Sequence, residues 1–303
     1  MPNETIVIIG AGIIGLSTAH HIQQHLAPTQ SLLVVARDFP SSTSIDYTSP
    51  WAGAHYRPIP GTSAQARKEA NQARRTYEHF KGLSASEPDA GIRFIEGIEH
   101  LEAPPAEYVD GNGVDAAYGH LDSFRHLGGG DDDDGSELPA GVRWGVRYKT
   151  YVVNSPLYCA FLLRRIVSNG GRTRACTLSN AEEAFRLDRN VRAVINCSGL
   201  GFGDDKSFII RGQTCLVDNP CSITLTRQIA DGEWSFCVPR PLGGGTIIGG
   251  TKQLHDWDPN PSLETRSKIL ENAAKWFPFP AGSEREFNVI RDIVGRRPAR
   301  EGG

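Results

Sequence analysis

The sequence predicts an α/β protein in which a small parallel sheet is interleaved with a second, largely antiparallel sheet. An apolar, β-branched run at 5–9 breaks into glycines and continues as a helical pattern, which is typical of a buried parallel strand, a turn and a helix. A second apolar run at 192–197 also ends in a small, glycine-rich turn. From residue 206 onward, short alternating runs predict successive antiparallel strands.

The first turn has the spacing Gly10-Ala-Gly12-Ile-Ile-Gly15, which is typical of a Rossmann-type nucleotide-binding unit. Gly10 permits the tight turn, Gly12 lets a pyrophosphate approach the backbone, and Gly15 lets the helix pack closely on the strand. The helix N-terminus would offer free N–H groups and the positive end of its dipole to the phosphates. The motif therefore predicts a nucleotide site; a glycine-rich turn that binds nothing is the alternative.

The remaining pattern alternates between strands and helices. Residues 103–141 are rich in Pro, Gly and Asp, so we expect a solvated, mobile loop there. A calcium loop is the alternative for the acidic run at 128–135, but four consecutive Asp lack the alternating ligand spacing. The other predicted elements are a strand at 31–36, a helix at 63–81, two short strands around Gly97 within 92–101, a strand at 142–153, a helix at 156–168, strands at 207–217, 223–226, 235–238 and 246–250, a helix at 262–277 and a strand at 287–294.

The composition of the 303 residues argues against several classes of function. The net charge of −3 gives no electrostatic case for binding nucleic acid. No apolar run reaches the roughly 18 residues that a membrane-spanning helix needs. The six cysteines show no CxxC pairing and are predicted to be reduced thiols of an intracellular protein, and no metal site is expected.

Several short motifs, taken together, resemble the D-amino-acid oxidase family of FAD flavoproteins, nearest its fungal members and with D-aspartate oxidase as a neighbouring branch. They are, in chain order, Gly10–Gly15, Ala36-Arg-Asp-Phe-Pro40, Ser49-Pro-Trp-Ala-Gly-Ala54, Val153-Asn-Ser-Pro156, Val194-Ile-Asn-Cys-Ser-Gly199, Arg211-Gly-Gln213, Pro239-Arg-Pro, Gly249-Gly-Thr and Val294-Gly-Arg-Arg-Pro-Ala-Arg300. On this resemblance, residues 1–60, 142–205 and about 278–303 form a discontinuous FAD-binding domain. Residues 61–141 and 206–277 then form the substrate-binding or cap domain.

The resemblance implies a reaction and a set of FAD contacts. A D-amino acid passes its Cα hydrogen as hydride to flavin N5, the imino acid is hydrolysed to a 2-oxo acid and ammonia, and dioxygen reoxidises the flavin with release of hydrogen peroxide. The FAD-binding residues on this resemblance are Gly10, Ala11, Gly12, Ile13, Ile14, Gly15, Ala36, Arg37, Asp38, Ser42, Trp51, Ala52, Gly53, Ala54, Leu178, Ser198 and Gly199.

Arg37 stands where a Rossmann fold usually has an acidic residue for the ribose 2′-hydroxyl. Spacing alone would suggest a 2′-phosphate and hence NADP, and a nicotinamide-dependent dehydrogenase is therefore a third class of function. The fungal oxidases that the chain resembles share the Ala-Arg-Asp sequence, which favours an FAD adenosine-side contact for Arg37.

Three positions of this sequence match the substrate site of the family. Arg297 is expected to bind the substrate carboxylate through two parallel hydrogen bonds. Phe236 stands where the family usually has a tyrosine, and it keeps the ring without the hydroxyl. Lys252 stands where D-aspartate oxidases have an arginine for the second carboxylate; a solvated lysine is the alternative. Because lysine suits a bidentate site less well than arginine, neutral D-amino acids are the expected substrates.

The resemblance leaves an inactive reading open. Family members continue for several tens of residues beyond Gly303, and together with Phe236 this admits a truncated flavin-binding homologue with little turnover. The expected location is the peroxisome or the cytoplasm, with no C-terminal targeting tripeptide on this chain. The expected partners are a D-amino acid and dioxygen, and the expected assembly includes a homodimer.

Overall fold

The computed structural model describes residues 4–109, 111–128 and 138–302. Single turns of 3₁₀ helix lie at Ser49–Trp51, Pro88–Ala90 and Glu182–Arg186. The longer elements, in chain order, are β1 (Glu4–Ile9), α1 (Ile13–Gln23), β2 (Gln30–Ala36), α2 (Ala64–Ser86), β3 (Ile92–Leu101), α3 (Ala106–Val109), α4 (Gly111–Tyr118), β4 (Arg125–Leu127), β5 (Trp144–Val153), α5 (Ser155–Ser168), β6 (Arg172–Ala175), β7 (Val191–Asn196), β8 (Ser207–Val217), β9 (Ile223–Gln228), β10 (Trp234–Pro239), β11 (Thr246–Gly249), β12 (Gln253–Leu254), α6 (Leu263–Ala274) and β13 (Val289–Arg300).

The first sheet is parallel and has the order β6-β2-β1-β7 among the described residues. Its two central strands carry the β-branched and leucine side chains that the sequence places there, and Val7, Ile8, Val34 and Val35 are fully buried. One face packs on α1 and α5, and the other packs on the turn at Glu182–Arg186. Because a parallel sheet covered on both faces needs apolar residues throughout, the unbroken run in β1 is explained.

The second sheet has the order β12-β8-β11-β10-β9-β3-β5-β4, with β13 also paired to β8. Its pairs are antiparallel except for β3 and β9, which are parallel. Helix α6 covers one face through a cluster that includes Ile248, Ile269 and Phe277. The α/β class with one parallel and one largely antiparallel sheet, predicted from the sequence, is therefore confirmed.

Three parts of the element prediction are wrong. Residues 92–101 form one continuous strand, because Gly97 does not end it: a Cβ atom there would lie 2.8 Å from Thr150 Cγ2, so the glycine makes room for its cross-strand neighbours. The predicted loop at 103–141 contains α3, α4 and β4, and Val114, Ala117 and Tyr118 are buried at helical spacing. The acidic run at 131–134, and with it the calcium-loop alternative, lies outside the described residues. The polar edge strand β6 was not predicted.

The sheet topology bears on the predicted domain boundaries. Strand β5 pairs with β3, and β13 pairs with β8 over Ser207–Val217, so both lie in the second sheet. The predicted assignment of 142–205 and 278–303 wholly to the FAD-binding domain therefore does not follow sheet membership. We propose a division into two domains in which β5 and β13 belong to the substrate-binding domain.

Candidate active site

The turn between β1 and α1 is built around two glycines that admit no side chain. Gly10 has a φ of +102°, and a Cβ atom there would lie 2.3 Å from the carbonyl oxygen of Cys197. A Cβ atom on Gly15 would lie 1.9 Å from the carbonyl oxygen of Gly10. Since no real side chain tolerates such distances, these glycines fix the close packing of β1, α1 and the end of β7.

Gly12 has a different role, because its missing side chain leaves space. A Cβ atom there would meet only the hydroxyl of Ser49, at 3.0 Å. Gly12 is the N-cap of α1 and has no side chain with which to cap the helix, and the first turn holds no acidic residue. Ile13 N–H donates to Ser49 Oγ at 2.9 Å, while Ile14 is 66% exposed. The helix end therefore presents donors and positive potential without a competing carboxylate, which fits a pyrophosphate.

The residues predicted to contact the adenosine side of FAD come directly after β2, which ends at Ala36. Arg37 Nε donates to Asp38 at 2.7 Å, and the Ser42 hydroxyl donates to the other oxygen of Asp38 at 2.8 Å. Arg37 also lies 3.8 Å from Asp46. Three of the residues predicted to bind FAD are thus held together by one another at the ligand-facing edge of the sheet.

The remaining predicted contacts lie beyond the neighbouring strands. Leu178 follows β6 and packs on the face of the parallel sheet that the turn at Glu182–Arg186 covers. Both the backbone N–H and the hydroxyl of Ser198 donate to Asn196 Oδ1. Gly199 has a φ of +79°, and a Cβ atom there would lie 3.3 Å from Pro298 Cγ. The turn after β7 therefore touches β13 next to Arg297, so the two sheets meet at this point.

The loop at 49–54 is held by a residue to which the sequence argument gave no role. The Arg240 guanidinium donates to three backbone carbonyls, those of Gly53 (2.9 Å), Ala52 (2.7 Å) and Pro50 (3.0 Å). Arg240 is buried, and burial lowers its pKa to about 10. The Pro-Arg-Pro motif was visible in the sequence, but only the fold shows that its arginine fixes the loop predicted to contact FAD.

The loop at 49–54, with Thr48 just before it, also contacts β13 and β5 of the second sheet. The Thr48 hydroxyl donates to the carbonyl of Arg296 at 2.6 Å. A Cβ atom on Gly295 would lie 3.1 Å from Trp51 Cβ, so this glycine lets Trp51 lie against β13. Ala54 exchanges two backbone hydrogen bonds with β5. The predicted FAD contacts and the predicted carboxylate arginine therefore share one connected frame.

The arginines of β13 differ in their contacts. Arg297 is exposed, and its guanidinium has no hydrogen bond or ion pair within residues 4–109, 111–128 and 138–302. The other three are engaged: Arg291 lies over the Trp51 ring, Arg296 donates to Asp46, and Arg300 donates to Asp204. Arg297 is thus the arginine whose five donors are available to a carboxylate. The spacing of these four arginines in the sequence could not show which of them is available to a carboxylate.

Phe236 lies in the same region of the second sheet as the arginines of β13. It pairs with Gly249 across β10 and β11, and a Cβ atom on Gly249 would lie 2.1 Å from Phe236 Cζ. The ring therefore lies over the bare backbone of Gly249. It packs with Trp51 against a cluster that includes Val238 and Ile247. This ring supplies an apolar wall and no hydrogen bond.

Lys252 lies between β11 and β12, is exposed, and has no hydrogen bond or ion pair within the described part of the chain. Strands β12 and β13 pair with opposite edges of β8, where Leu254 and Arg297 both lie opposite Ile210. Since neighbouring strands are about 4.8 Å apart, β12 and β13 are roughly 10 Å apart at this level. The two uncommitted cations therefore flank one strand.

A further basic residue, missed by the sequence argument, is already neutralised. Arg57 Nη1 donates to Glu99 at 3.1 Å and to the Tyr108 hydroxyl at 2.7 Å, and the guanidinium lies 4.5 Å from the centre of the Trp234 ring. Burial is the largest single influence on the pKa of Arg57 and lowers it, but Glu99, Tyr108 and Tyr118 together outweigh burial and the net shift is upward. Burial raises the pKa of Glu99, against the opposing effects of Arg57 and two tyrosine hydroxyls.

Unpaired polar atoms mark the sheet face around Phe236. Thr214 Oγ1, Thr226 Oγ1 and Gln228 Oε1 are buried and have no hydrogen-bond partner among the residues that the structure describes. Thr226 lies opposite Phe236, and Thr214 lies opposite Gly249, so these residues share one face. Because buried polar atoms are normally hydrogen-bonded, this face is suited to a polar ligand that would supply the missing partners.

Other classes of site receive no support from the described residues. No group of three or more His, Cys, Asp or Glu side chains there is placed to hold a metal ion. No helix in those same residues has the length and apolar character needed to cross a membrane. All six cysteines are free thiols.

The nucleotide-type turn and the polar face of the second sheet together fit a flavoprotein oxidoreductase. The family model described as FAD dependent oxidoreductase matches residues 5–303, and the chain belongs to this family. Its cofactor is FAD, and the open position at Gly12, together with an α1 N-terminus that holds no acidic residue in its first turn, fits the pyrophosphate of that group.

Two curated relatives and one solved structure are informative. The chain is 45% identical to a D-aspartate oxidase of Talaromyces thermophilus, over 98% of this chain and 84% of that protein. It is 32% identical to a D-amino-acid oxidase of Schizosaccharomyces pombe, over 98% of this chain and 84% of that protein. The structure of glycine oxidase from Geobacillus kaustophilus superposes with a TM-score of 0.68 at 16% identity, covering 99% of this chain and 85% of that one, which shows a shared fold.

Proposed function

We propose that this protein is an oxidase of D-amino acids whose preferred substrates carry a second carboxylate, as D-aspartate does. The observation that carries the proposal is the 45% identity to a D-aspartate oxidase over 98% of the chain. The two uncommitted cations at 252 and 297 support it, because a dicarboxylate needs two positive partners. The proposal differs from the expectation of neutral substrates that lysine chemistry alone favoured.

Arg297 binds the α-carboxylate in this proposal. Its free fork of donors fixes the carboxylate plane, and the orientation of the Cα–H bond follows from that plane. Phe236 forms the apolar wall beside the reacting carbon and keeps water away from it. When bound, FAD supplies the two-electron acceptor chemistry, and the products are a 2-oxo acid, ammonia and hydrogen peroxide.

Lys252 binds the second carboxylate as a point charge. Arg57 is not assigned this role, because its charge is already paired with the Glu99 carboxylate, to which Nη1 donates. Lys252 comes two residues before Leu254, which shares its opposite residue on β8 with Arg297. The separation of roughly 10 Å between β12 and β13 leaves room for a four-carbon dicarboxylate between the two side chains.

The test is the ratio of kcat/KM for D-aspartate to that for D-alanine, measured by peroxide release. Lys252→Met should lower this ratio roughly tenfold to hundredfold, because a charge-assisted contact is lost for one substrate only. Lys275→Met is the matched control: it removes a charge from an exposed lysine at the end of α6 and should leave the ratio unchanged. An unchanged ratio in Lys252→Met would reject the role of Lys252. The absence of turnover on every D-amino acid would reject the oxidase.

A further inference from the structure

Two of the cysteines lie in contact beneath the candidate substrate face. Cys221 Sγ and Cys237 Sγ are 3.8 Å apart. Cys237 is fully buried in β10, directly after Phe236, whereas Cys221 is half-buried and precedes β9. A disulfide needs a sulfur–sulfur distance of about 2.0 Å, so the two sulfurs must approach by roughly 1.8 Å.

The segment that carries Cys221 is not itself part of a strand. It lies between the end of β8 at Val217 and the start of β9 at Ile223, outside the hydrogen-bond ladders of both strands. Cys237 is held in register with Leu225 and Ile248. The pair therefore joins a half-buried thiol on a connecting segment to an enclosed thiol within a strand, which suits an attacking and a resolving cysteine.

We propose that Cys221 and Cys237 form a reversible disulfide when the protein meets hydrogen peroxide. The Cys221 thiolate attacks one peroxide oxygen, the O–O bond breaks, and a sulfenic acid forms as the other oxygen leaves and takes a proton to become water. The Cys237 sulfur then attacks the sulfenic sulfur, the S–O bond breaks and a second water leaves. Two thiols lose two electrons in total, and one peroxide is reduced to two waters.

The chemistry of the two thiols supports this order. The hydrogen bond from Cys237 lowers the pKa of Cys221, and a larger thiolate fraction speeds attack on peroxide. Burial raises the pKa of Cys237, which keeps that thiol protonated and unreactive until a sulfenic acid forms beside it. Capture by Cys237 would stop Cys221 from passing to the irreversible sulfinic acid.

The proposal rests on the proposed function only for the source of the peroxide, which the oxidase reaction would release beside this sheet. The first test is therefore independent of turnover: the FAD-loaded protein is treated with reagent hydrogen peroxide, its free thiols are alkylated, and tryptic peptides are compared with and without reductant. We expect a cross-link between the peptide at 212–227 and the peptide that begins at 228, lost on reduction. Free thiols should fall by two per peroxide consumed.

Variants assign the cross-link, because the peptide at 212–227 also holds Cys215. Cys215→Ala should retain the cross-link and Cys221→Ala should abolish it. In Cys237→Ala, Cys221 should proceed to sulfinic acid. If wild-type Cys221 is oxidised to sulfinic acid without a cross-link, or if both thiols stay reduced while other cysteines react, the proposal is wrong. Both of these outcomes are measured on the wild-type protein, so the test does not depend on whether Cys237→Ala folds.

A second arm separates this proposal from the oxidase. If D-aspartate is turned over, the peroxide made in the reaction should produce the same cross-link, and catalase should prevent it. A cross-link with reagent peroxide but no turnover would reject the oxidase and leave the disulfide standing. Turnover without any cross-link under either peroxide source would reject the disulfide alone.

Discussion

At the scale of single residues, Arg297 differs from the other arginines of β13 in its contacts. Its guanidinium is uncommitted within the described chain, whereas the other arginines of β13 have partners. A structural arginine would show the opposite arrangement, since its loss would break contacts inside the protein. Substitution of Arg297 should therefore change substrate binding and leave folding intact.

Arg297→Ala should raise the KM for D-amino acids about a hundredfold, since both charge-assisted bonds to the carboxylate are lost. Arg297→Lys should recover only part of this, because it keeps the charge without the fork. Steady-state peroxide release measures both variants. Arg296→Ala is the matched control and should lower the melting temperature more than it changes KM, because Arg296 is tied to Asp46. An unchanged KM in Arg297→Ala would assign the carboxylate to another residue.

At the scale of elements, the N-terminus of α1 and the loop at 49–54 form one support for the cofactor. Gly12 leaves space, and Gly15 closes the packing beneath it. Gly12→Val should abolish FAD retention while the apoprotein still folds, because a branched side chain would meet only the Ser49 hydroxyl. Gly15→Ala should lower the melting temperature of the apoprotein itself. The ratio of flavin to protein absorbance, with apoprotein melting curves, distinguishes the two outcomes. Full flavin content in folded Gly12→Val would remove FAD from this turn.

The loop at 49–54 gives a second prediction at this scale. Arg240→Met removes the donor to three backbone carbonyls, and each buried acceptor left unpaired costs about 1–3 kcal/mol. We expect a loss of at least about 2 kcal/mol in the free energy of unfolding, together with weaker FAD retention. Arg240→Lys should recover part of both, because an ammonium cannot span the three carbonyls. The measurement is denaturant unfolding. A wild-type free energy of unfolding in Arg240→Met would show that the loop at 49–54 does not depend on Arg240.

Several elements could be derived from sequence because their causes are local. The turn at Gly10–Gly15 needs only its own backbone geometry, and β1 needs only its apolar run. The position of β13 could not be derived, because its register with β8 depends on residues far away in the chain. Helix α4 was missed because its three buried positions are set in a polar, glycine-rich context. The contacts of Arg240 and of the Cys221–Cys237 pair exist only in the assembled fold.

At the scale of the whole molecule, two histidines link stability to pH. Burial lowers the pKa of His55 to about 3 and that of His100 to about 4, each helped by nearby arginines. An unfolded histidine titrates near pH 6.5, so between about pH 6.5 and pH 4 the unfolded chain binds more protons than the folded one. The free energy of unfolding should therefore fall as the pH falls, by at most about 1.4 kcal/mol per pH unit for each histidine.

The double variant His55→Asn/His100→Gln should flatten this dependence relative to the wild type, as measured by denaturant unfolding between pH 6.5 and 4. Comparing the two proteins removes the contribution of Glu99, whose raised pKa acts with the opposite sign in both. His21→Gln, at an exposed position of α1, should keep the wild-type slope. Equal slopes in the double variant and the wild type would show that neither histidine is held neutral by the fold.

We propose that this flavoprotein oxidises D-amino acids with a preference for dicarboxylates. The most direct test mixes the purified FAD-bound protein anaerobically with D-aspartate, L-aspartate or D-alanine and follows the visible absorption band of the flavin. We predict rapid bleaching by D-aspartate, slower bleaching by D-alanine, none by L-aspartate, and recovery of the band when air is admitted. A flavin band that no D-amino acid bleaches, or that D-alanine bleaches faster than D-aspartate, would contradict the claim.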